Sequence, residues 1–309
     1  MKPPESRLFA LVRRVKPVAY GALVAAHRGA SQDAPENTLA AFSRAIEAGA
    51  DLIEFDVHVS GSGDVVVIHD EKLDRTTDGT GEVWRFPTQA LRDLDAGSWF
   101  SDVYARERIP TLDETLDLMK KKVVPLIEVK VKRKRSQDAG KRIVAALTRH
   151  GMLEEAVVIC REIERAREVH EASPSTPLSY LTYTKRQARG AAKLPSVAGL
   201  DVYWKSLSLR LISDLRARAG FFLTPWTVNR RTDQERLLAM GVESLITDCP
   251  RAFRDTIERF ELSRREDLLE RFERTGEDVD LELEPGERDA KTPEDLAAEM
   301  GTASELDVE

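Results

Sequence analysis

Apolar residues in this chain follow two alternating rhythms. Short apolar runs with strand character alternate with longer stretches in which apolar positions recur every three or four residues. "ALVAAH" reads as the first strand and "NTLAAFSRAIEAG" as the first helix, with Leu39, Phe42 and Ile46 on one face and Gly49 placed for the C-terminal cap. "DLIEFDVHVS" is the second strand. "DVVVIHD" is a further extended run, close enough to pair with it across the turn "GSGD". Residues 70–110 keep neither rhythm; they show turn signals at "TDGTG" and a short helix near 88–94. "TLDETLDLMKKK" resumes the helical period, with Thr111 and Glu114 at capping-box spacing. The strands "VVPLIEVKV", "EAVVIC", "PLSYLTY", "VAGLDVYW", "FFLTPWTV" and "ESLITD" follow, each succeeded by a helical segment, the last being "PRAFRDTIERFE".

With "DVVVIHD" set aside, about eight strand-then-helix units remain, the order of an α/β fold of the (β/α)8 TIM-barrel type. A doubly wound sheet is the alternative, and it would carry a Gly-rich phosphate loop after the first strand; this chain has none there. The pattern predicts an N-terminal segment over 1–20, a barrel over 21–261 with a short insertion at about 70–110, and a tail over 262–309. "LSRREDLLERFERTG" extends the last helix on this reading. The remainder is acidic and poor in aromatics, the composition of a disordered, solvated appendage.

Charge sharpens this division. The formal net charge of the 309 residues is -7, yet the segment from 262 onward holds about -11 of it, leaving the rest at about +4. A mildly basic barrel suits an anionic small molecule. No basic stripe with interleaved aromatics points to nucleic acid. Cys160 and Cys249 are the only cysteines, which makes neither a disulfide framework nor a zinc spacing and fits a reduced, cytoplasmic protein. No apolar run approaches the ~20 residues of a membrane span. "LFALVRRVKPVAYGALVAA" is broken by Arg13, Arg14 and Lys16, so it makes a poor signal-peptide core. It reads as an element packed on the barrel floor, with weak membrane-surface association as the other reading.

Candidate chemistry collects at the carboxyl ends of the strands, where barrel active sites lie. His27 and Arg28 follow the first strand. Glu54 and Asp56 lie in the second, and His69 ends the run paired with it. Glu128 and Lys130 belong to "VVPLIEVKV", Trp226 follows "FFLT", and Asp248 ends the last strand. Alternation puts Glu54, Asp56 and His58 on one face, opposite Ile53, Phe55 and Val57, and puts Glu128 with Lys130. Apolar residues on both flanks imply strands buried on both sides. A charge there costs several kcal/mol unless it is paired or metal-bound. Three inward carboxylates form either an oxygen-rich cage for magnesium or calcium or a salt-bridge network with Arg28 and Lys130. His27 and His69 suit general acid and base duty near neutral pH. Gly29 would admit a ligand close to the backbone. Trp226 either caps the barrel core or walls a ligand pocket. His58 is a further ligand, a partner of Asp56, or a histidine lower in the barrel or at its rim.

On these residues the chain resembles the glycerophosphodiester phosphodiesterase family. The matching pieces are "AHRGASQDAPENTLAAF", "GADLIEFDVHVSGSGDVVVIHDEKLDRTTDGTGEV", "RIPTLDETL", "PLIEVK", "TPWTVN" and "GVESLITDCP", in the family's order over 23 to about 260. The resemblance implies a metal-dependent hydrolase that releases glycerol 3-phosphate and an alcohol. It implies His27 and His69 as general acid and base, and Glu54, Asp56 and Glu128 as ligands of a divalent metal, Mg2+ or Ca2+. Arg28 and Lys130 would contact phosphate, and the 70–110 stretch would be the insertion that covers the site. It also implies attack by the substrate's own glycerol hydroxyl, through a cyclic phosphate. A lysophospholipid- or sphingolipid-cleaving barrel at a membrane, and an inactive phosphodiester-binding barrel, are the rival readings.

Overall fold

In the computed structural model the described residues are 7–18, 21–130, 138–194, 196–216 and 221–262. The strands among them are β1 (Leu23–His27), β2 (Leu52–Val59), β3 (Val65–Val67), β4 (Val124–Val129), β5 (Val157–Cys160), β6 (Leu178–Thr182), β7 (Val197–Val202), β8 (Phe222–Leu223) and β9 (Ser244–Thr247). The helices are α1 (Arg7–Val15), α2 (Leu39–Glu47), α3 (Thr88–Arg92), α4 (Leu112–Met119), α5 (Ala139–His150), α6 (Ile163–Ala172), α7 (Lys185–Ala191), α8 (Leu209–Arg216), α9 (Arg231–Ala239) and α10 (Pro250–Leu262).

Eight strands run parallel in the order β8-β7-β6-β5-β4-β2-β1-β9, and β3 pairs antiparallel with β2 alone. Two bonds close the ring past β8: the Val228 amide donates to Ile246 O (2.8 Å), and the Ile246 amide to Pro225 O (2.9 Å). The fold is therefore the expected (β/α)8 barrel, with α2, α4 to α10 following the eight strands in turn. "FFLTPWTV" is regular strand only over Phe222–Leu223, although the Thr224 and Trp226 amides carry the bonding on to Leu200 O (3.0 Å) and Val202 O (3.1 Å). "VAGLDVYW" ends as a strand at Val202, and Trp204–Ser206 forms a 3-10 turn.

The period-two pattern divides the apolar residues cleanly. Leu23, Ala25, Leu52, Val124, Leu126, Val157, Ile159 and Ile246 fill the barrel interior. The alternate residues Val24, Ala26, Ile53, Phe55, Val57, Ile127, Val129 and Val158 pack against the helices. Helix α1 joins the interior cluster through Leu8, Leu11 and Val12. Lys16 follows it, reaching Ala50 O (3.0 Å) and Asp51 (3.2 Å) just before β2. The N-terminal element thus plugs the floor, as its apolar spacing suggested. Among the described residues no helix is long and apolar enough to cross a membrane.

The stretch after β3 builds a small core of its own from Val66, Ile68, Leu73, Val83, Leu91, Ala96 and Ile109. The capping box of α4 forms as its spacing indicated: the Thr111 hydroxyl accepts from the Glu114 amide, and the Glu114 carboxylate accepts from the Thr111 amide. The acidic tail falls outside the described residues.

Gly29 has a different purpose from the one its neighbours suggested. Its φ is +86°, and a Cβ there would lie 2.7 Å from the backbone carbon of Ala41. The close approach is that of helix α2, not of a ligand.

Candidate active site

The strands carry their last inward side chains to one rim. Register places Asp56 of β2 directly beside Glu128 of β4, and His27 of β1 beside Glu54 of β2. Oxygens of Glu54, Asp56 and Glu128 lie within 4.8 Å of one another. Glu54 and Asp56 are 3 % and 1 % exposed, so water does not screen them.

Two cations face these three carboxylates. Lys130 Nζ lies 2.7 Å from Glu128 and 3.2 Å from Asp56. Arg28 Nε lies 3.2 Å from Asp56, its Nη1 donates to Glu36 (2.9 Å), and its amide donates to Glu54 Oε2 (3.1 Å). That amide turns into the site because Arg28 adopts a left-handed φ of 56°. The pairing leaves one acidic charge over, and it falls on Glu54, whose Oε1 is buried and meets no donor among the described residues. Burial, with Asp56 and Glu128 close by, pushes the Glu54 carboxyl well above the usual carboxylate range. Asp56 goes the other way: burial would raise it, but Lys130, His69 and Arg28 hold it well below. Burial would also lower Lys130, yet Glu128 and Asp56 raise it further, so its charge is secure. A salt-bridge network alone therefore leaves a buried carboxylate oxygen uncompensated, at a cost of several kcal/mol. An all-oxygen donor set with an orphaned carboxylate atom fits a hard divalent cation.

A histidine flanks this cage on each side. His27 Nδ1 bonds Asp248 Oδ1 at 2.6 Å, and its Nε2 lies 4.0 Å from Glu54. Asp248 also accepts from Ser31 Oγ (3.1 Å) and from Asn229 Nδ2 (2.6 Å), and burial notwithstanding, His27 and these donors hold it well below the usual range. His69 Nδ1 bonds Asp70 Oδ1 at 2.5 Å, and Arg75 Nε fixes the other Asp70 oxygen at 2.7 Å. Arg75 also donates to both oxygens of Glu36 (2.8 Å each), so one chain of ion pairs runs from His69 to Arg28. Burial, then Lys130, lowers the His69 pKa, which favours the neutral ring that accepts a proton. In both histidines the Nδ1 is occupied by a carboxylate, leaving Nε2 for proton transfer.

Asn37 closes the site from below. Its amide donates to Asp56 Oδ2 (2.9 Å) and its carbonyl accepts from the Asp56 backbone amide (3.2 Å). This double clasp accompanies a φ of 59° at Asn37, so α2 starts only at Leu39, capped by Thr38. A small cavity beside it is lined by Glu36, Asn37, His69, Thr76, Thr77 and Ile109, joining the insertion to the site.

The other half of the rim is aromatic. Trp226 stands between Tyr183 (centroids 5.1 Å apart) and Tyr203 (5.6 Å). Trp226 and Tyr183 pack on top of the barrel interior. The Trp226 indole thus caps the core, one of the two roles its position suggested, and forms a ring cluster with the two tyrosines. Below lies Asp201, 1 % exposed, whose oxygens accept from the Ser179 and Thr224 hydroxyls. Burial pushes its carboxyl up to about 7.

The glycerophosphoryl diester phosphodiesterase family model matches residues 27–252, which spans the whole of this constellation. The chain belongs to that family. Membership places it among the phosphodiester hydrolases. A glycerophosphodiester phosphodiesterase of Caldanaerobacter subterraneus subsp. tengcongensis is 36% identical over 230 residues, covering 74% of this chain and 94% of that protein. Another, from Bacillus subtilis, is 33% identical over 254 residues, covering 75% and 85%. A solved phosphodiesterase from Oleispira antarctica, in complex with the product sn-glycerol-3-phosphate, superposes with a TM-score of 0.70 at 27% identity, covering 80% of this chain and 99% of that one.

His27, Arg28, Glu54, Asp56, His69, Glu128 and Lys130 meet at this rim, with Asp248 and His58 beside them, and Trp226 stands at its aromatic side. Sequence reasoning assigned no role to Asp248, Asp70, Arg75, Glu36, Asn37 and Asn229, which orient them. The strings "PENT", "HDEKLDR", "TVN" and "TD" contain all six, but an orienting residue shows its partner only in three dimensions. His150 is largely covered, between Asp113 (2.8 Å) and Asp117 (3.0 Å).

Proposed function

We propose that the protein is a metal-dependent glycerophosphodiester phosphodiesterase that works by paired histidine acid-base catalysis. The observation that carries this reading is the orphaned Glu54 Oε1 inside a three-carboxylate cage, flanked by two histidines each locked at Nδ1. Glu54, Asp56 and Glu128 would hold a divalent cation, Mg2+ or Ca2+. When bound, it supplies charge neutralisation at the phosphoryl oxygens.

Arg28 and Lys130 bind and orient the phosphodiester and stabilise the charge that grows on its equatorial oxygens. Trp226 lies against the substrate's alcohol side. The Nε2 of one histidine takes the proton from the glycerol 2-hydroxyl as its oxygen bonds phosphorus. The Nε2 of the other donates a proton to the oxygen whose bond to phosphorus breaks, releasing the alcohol. Water then opens the cyclic phosphate with the two roles exchanged, giving glycerol 3-phosphate. The lowered pKa of His69 suits it to start as the base. We take the reaction to be cytoplasmic, which the two free thiols Cys160 and Cys249 support. The barrel of about 21–261 carries the activity, with the 70–110 insertion over the site and the acidic tail as an appendage.

The test is hydrolysis of glycerophosphocholine, glycerophosphoethanolamine and glycerophosphoglycerol, with EDTA, Mg2+ and Ca2+ arms and lysophosphatidylcholine as the lipid control. Metal-stimulated release of glycerol 3-phosphate is the expected result. No hydrolysis of any glycerophosphodiester with either metal would refute the assignment.

A further inference from the structure

We propose that His58 is a positioning residue that holds the catalytic loop through the main chain of His69. The proposal rests on the role given to His69 above.

His58 is the next inward residue of β2 after Asp56, and it is 6 % exposed. Its Nε2 lies 3.0 Å from the carbonyl oxygen of His69. A carbonyl only accepts, so His58 Nε2 carries the proton and the tautomer is set. Just before this point the hairpin is held by its own ladder. Val57 pairs with Val67, and the Ile68 amide donates to Asp56 O (3.0 Å). One residue later the ladder stops. Among the described residues no backbone amide reaches the His69 carbonyl, and the His58 ring supplies the bond in its place.

The consequence bears on catalysis. The His69 ring is gripped on its imidazole side by Asp70 at 2.5 Å, and Asp70 is the very next residue. The peptide linking the two includes the carbonyl that His58 holds. Fixing this peptide sets how Asp70 faces the His69 Nδ1, and hence where Nε2 points. Without the bond the peptide is free to rotate while the ring, Asp70 and Arg75 remain in place chemically. Small misplacements of a proton-transfer group cost large factors in rate.

His58 also departs from simple core packing. Of the inward positions of β2, Leu52 joins the barrel-interior cluster, and Glu54 and Asp56 serve the cage. His58 sits above both, spanning from the barrel to the loop after β3.

The experiment uses the full-length protein with saturating divalent metal and glycerophosphocholine as substrate. His58→Gln keeps an N–H at the position of Nε2, whereas His58→Leu and His58→Asn remove it or place it short. His58→Leu is expected to lower kcat about 10- to 100-fold with little change in KM, and His58→Gln to recover most of the loss. Each is then combined with His69→Ala. A residue that acts only through His69 has nothing left to position, so adding His58→Leu should leave the residual rate of His69→Ala unchanged.

Equal losses in His58→Gln and His58→Leu would overturn the proposal, because they would show that the ring rather than the donor matters. So would a further fall on adding His58→Leu to His69→Ala. Should His58→Leu fail to fold, the Gln–Asn pair carries the same contrast, and equal activities of those two overturn it. Full activity of His69→Ala alone would instead refute the role of His69, a result that the single variants of His58 cannot produce.

Discussion

The two halves of the barrel mouth differ in how they balance buried polarity. On the side of β1, β2, β4 and β9, three carboxylates face two cations, and an oxygen of Glu54 is left with no donor. On the side of β6, β7 and β8, Asp201, the one buried acid among the described residues there, has a hydroxyl on each oxygen, and aromatic rings cover the barrel interior. The first half leaves an acidic charge uncompensated, and it is there that we propose a cation binds. In the second the buried charge is met by its own hydroxyls, and the rings shape the wall. An unbalanced charge held in a rigid frame marks the reactive side better than the mere number of charged residues does.

The largest effect should come from the two histidines of the charged half. His27→Ala and His69→Ala are each expected to lower kcat by about 10²- to 10⁴-fold, with melting temperatures close to that of the parent. Steady-state kinetics beside thermal melts checks this, and near-normal turnover in either variant would break the comparison. A second effect, smaller by about an order of magnitude, is expected for Asp248→Asn and Asp70→Asn. Each leaves a histidine in place but removes the carboxylate that sets its tautomer, so kcat should fall while substrate affinity holds.

Metal and pH sharpen the contrast further. In metal-free protein the Glu54 carboxyl titrates above its unfolded value. The folded state then binds the extra proton, and its stability falls as pH rises from the unfolded pKa of about 4.3 toward the folded one. A bound cation removes that loss. The melting-temperature gain from Mg2+ or Ca2+ should therefore grow with pH, and Glu54→Gln should abolish both the pH slope and most of the gain. A gain that is flat with pH would count against Glu54 as a ligand.

The smallest effect on activity belongs to the aromatic half. Asp201 has a folded pKa raised to about 7, so it costs nothing below the unfolded pKa and destabilises as pH climbs through 4 to 7. Asp201→Asn should be neutral near pH 4 and stabilising at pH 8, by about 4 kcal/mol as an upper bound. Denaturant melts at the two pH values measure it. Activity with a bound cation should change little, because the carboxyl is covered by the barrel wall and touches no reacting group.

Much of the site was legible because its chemistry and its strand parity reinforce each other. Glu54 and Asp56 two residues apart must share a face, and Ile53, Phe55 and Val57 on the other face require burial on both sides. The Thr111–Glu114 box was equally plain, since a cap is a contact between residues three apart. What stayed hidden joins distant parts of the chain. Asp248 lies 221 residues from His27. Arg75 works only by joining Glu36 to Asp70, and His58 reaches a main-chain carbonyl that no side-chain pattern reports. Gly29 looked like room for a ligand and proved to be room for a helix.

The alternation of strand and helix, the barrel, the inward parity of each strand and the ionisable groups at the rim can all be read along the chain. These follow from local periodicity, which needs no knowledge of distant neighbours. Folding in three dimensions settles which carboxylate oxygen is left without a donor, which ring nitrogen is occupied and which residues hold the histidines. Those answers depend on distances of a few ångströms across a barrel that the chain must close before they exist.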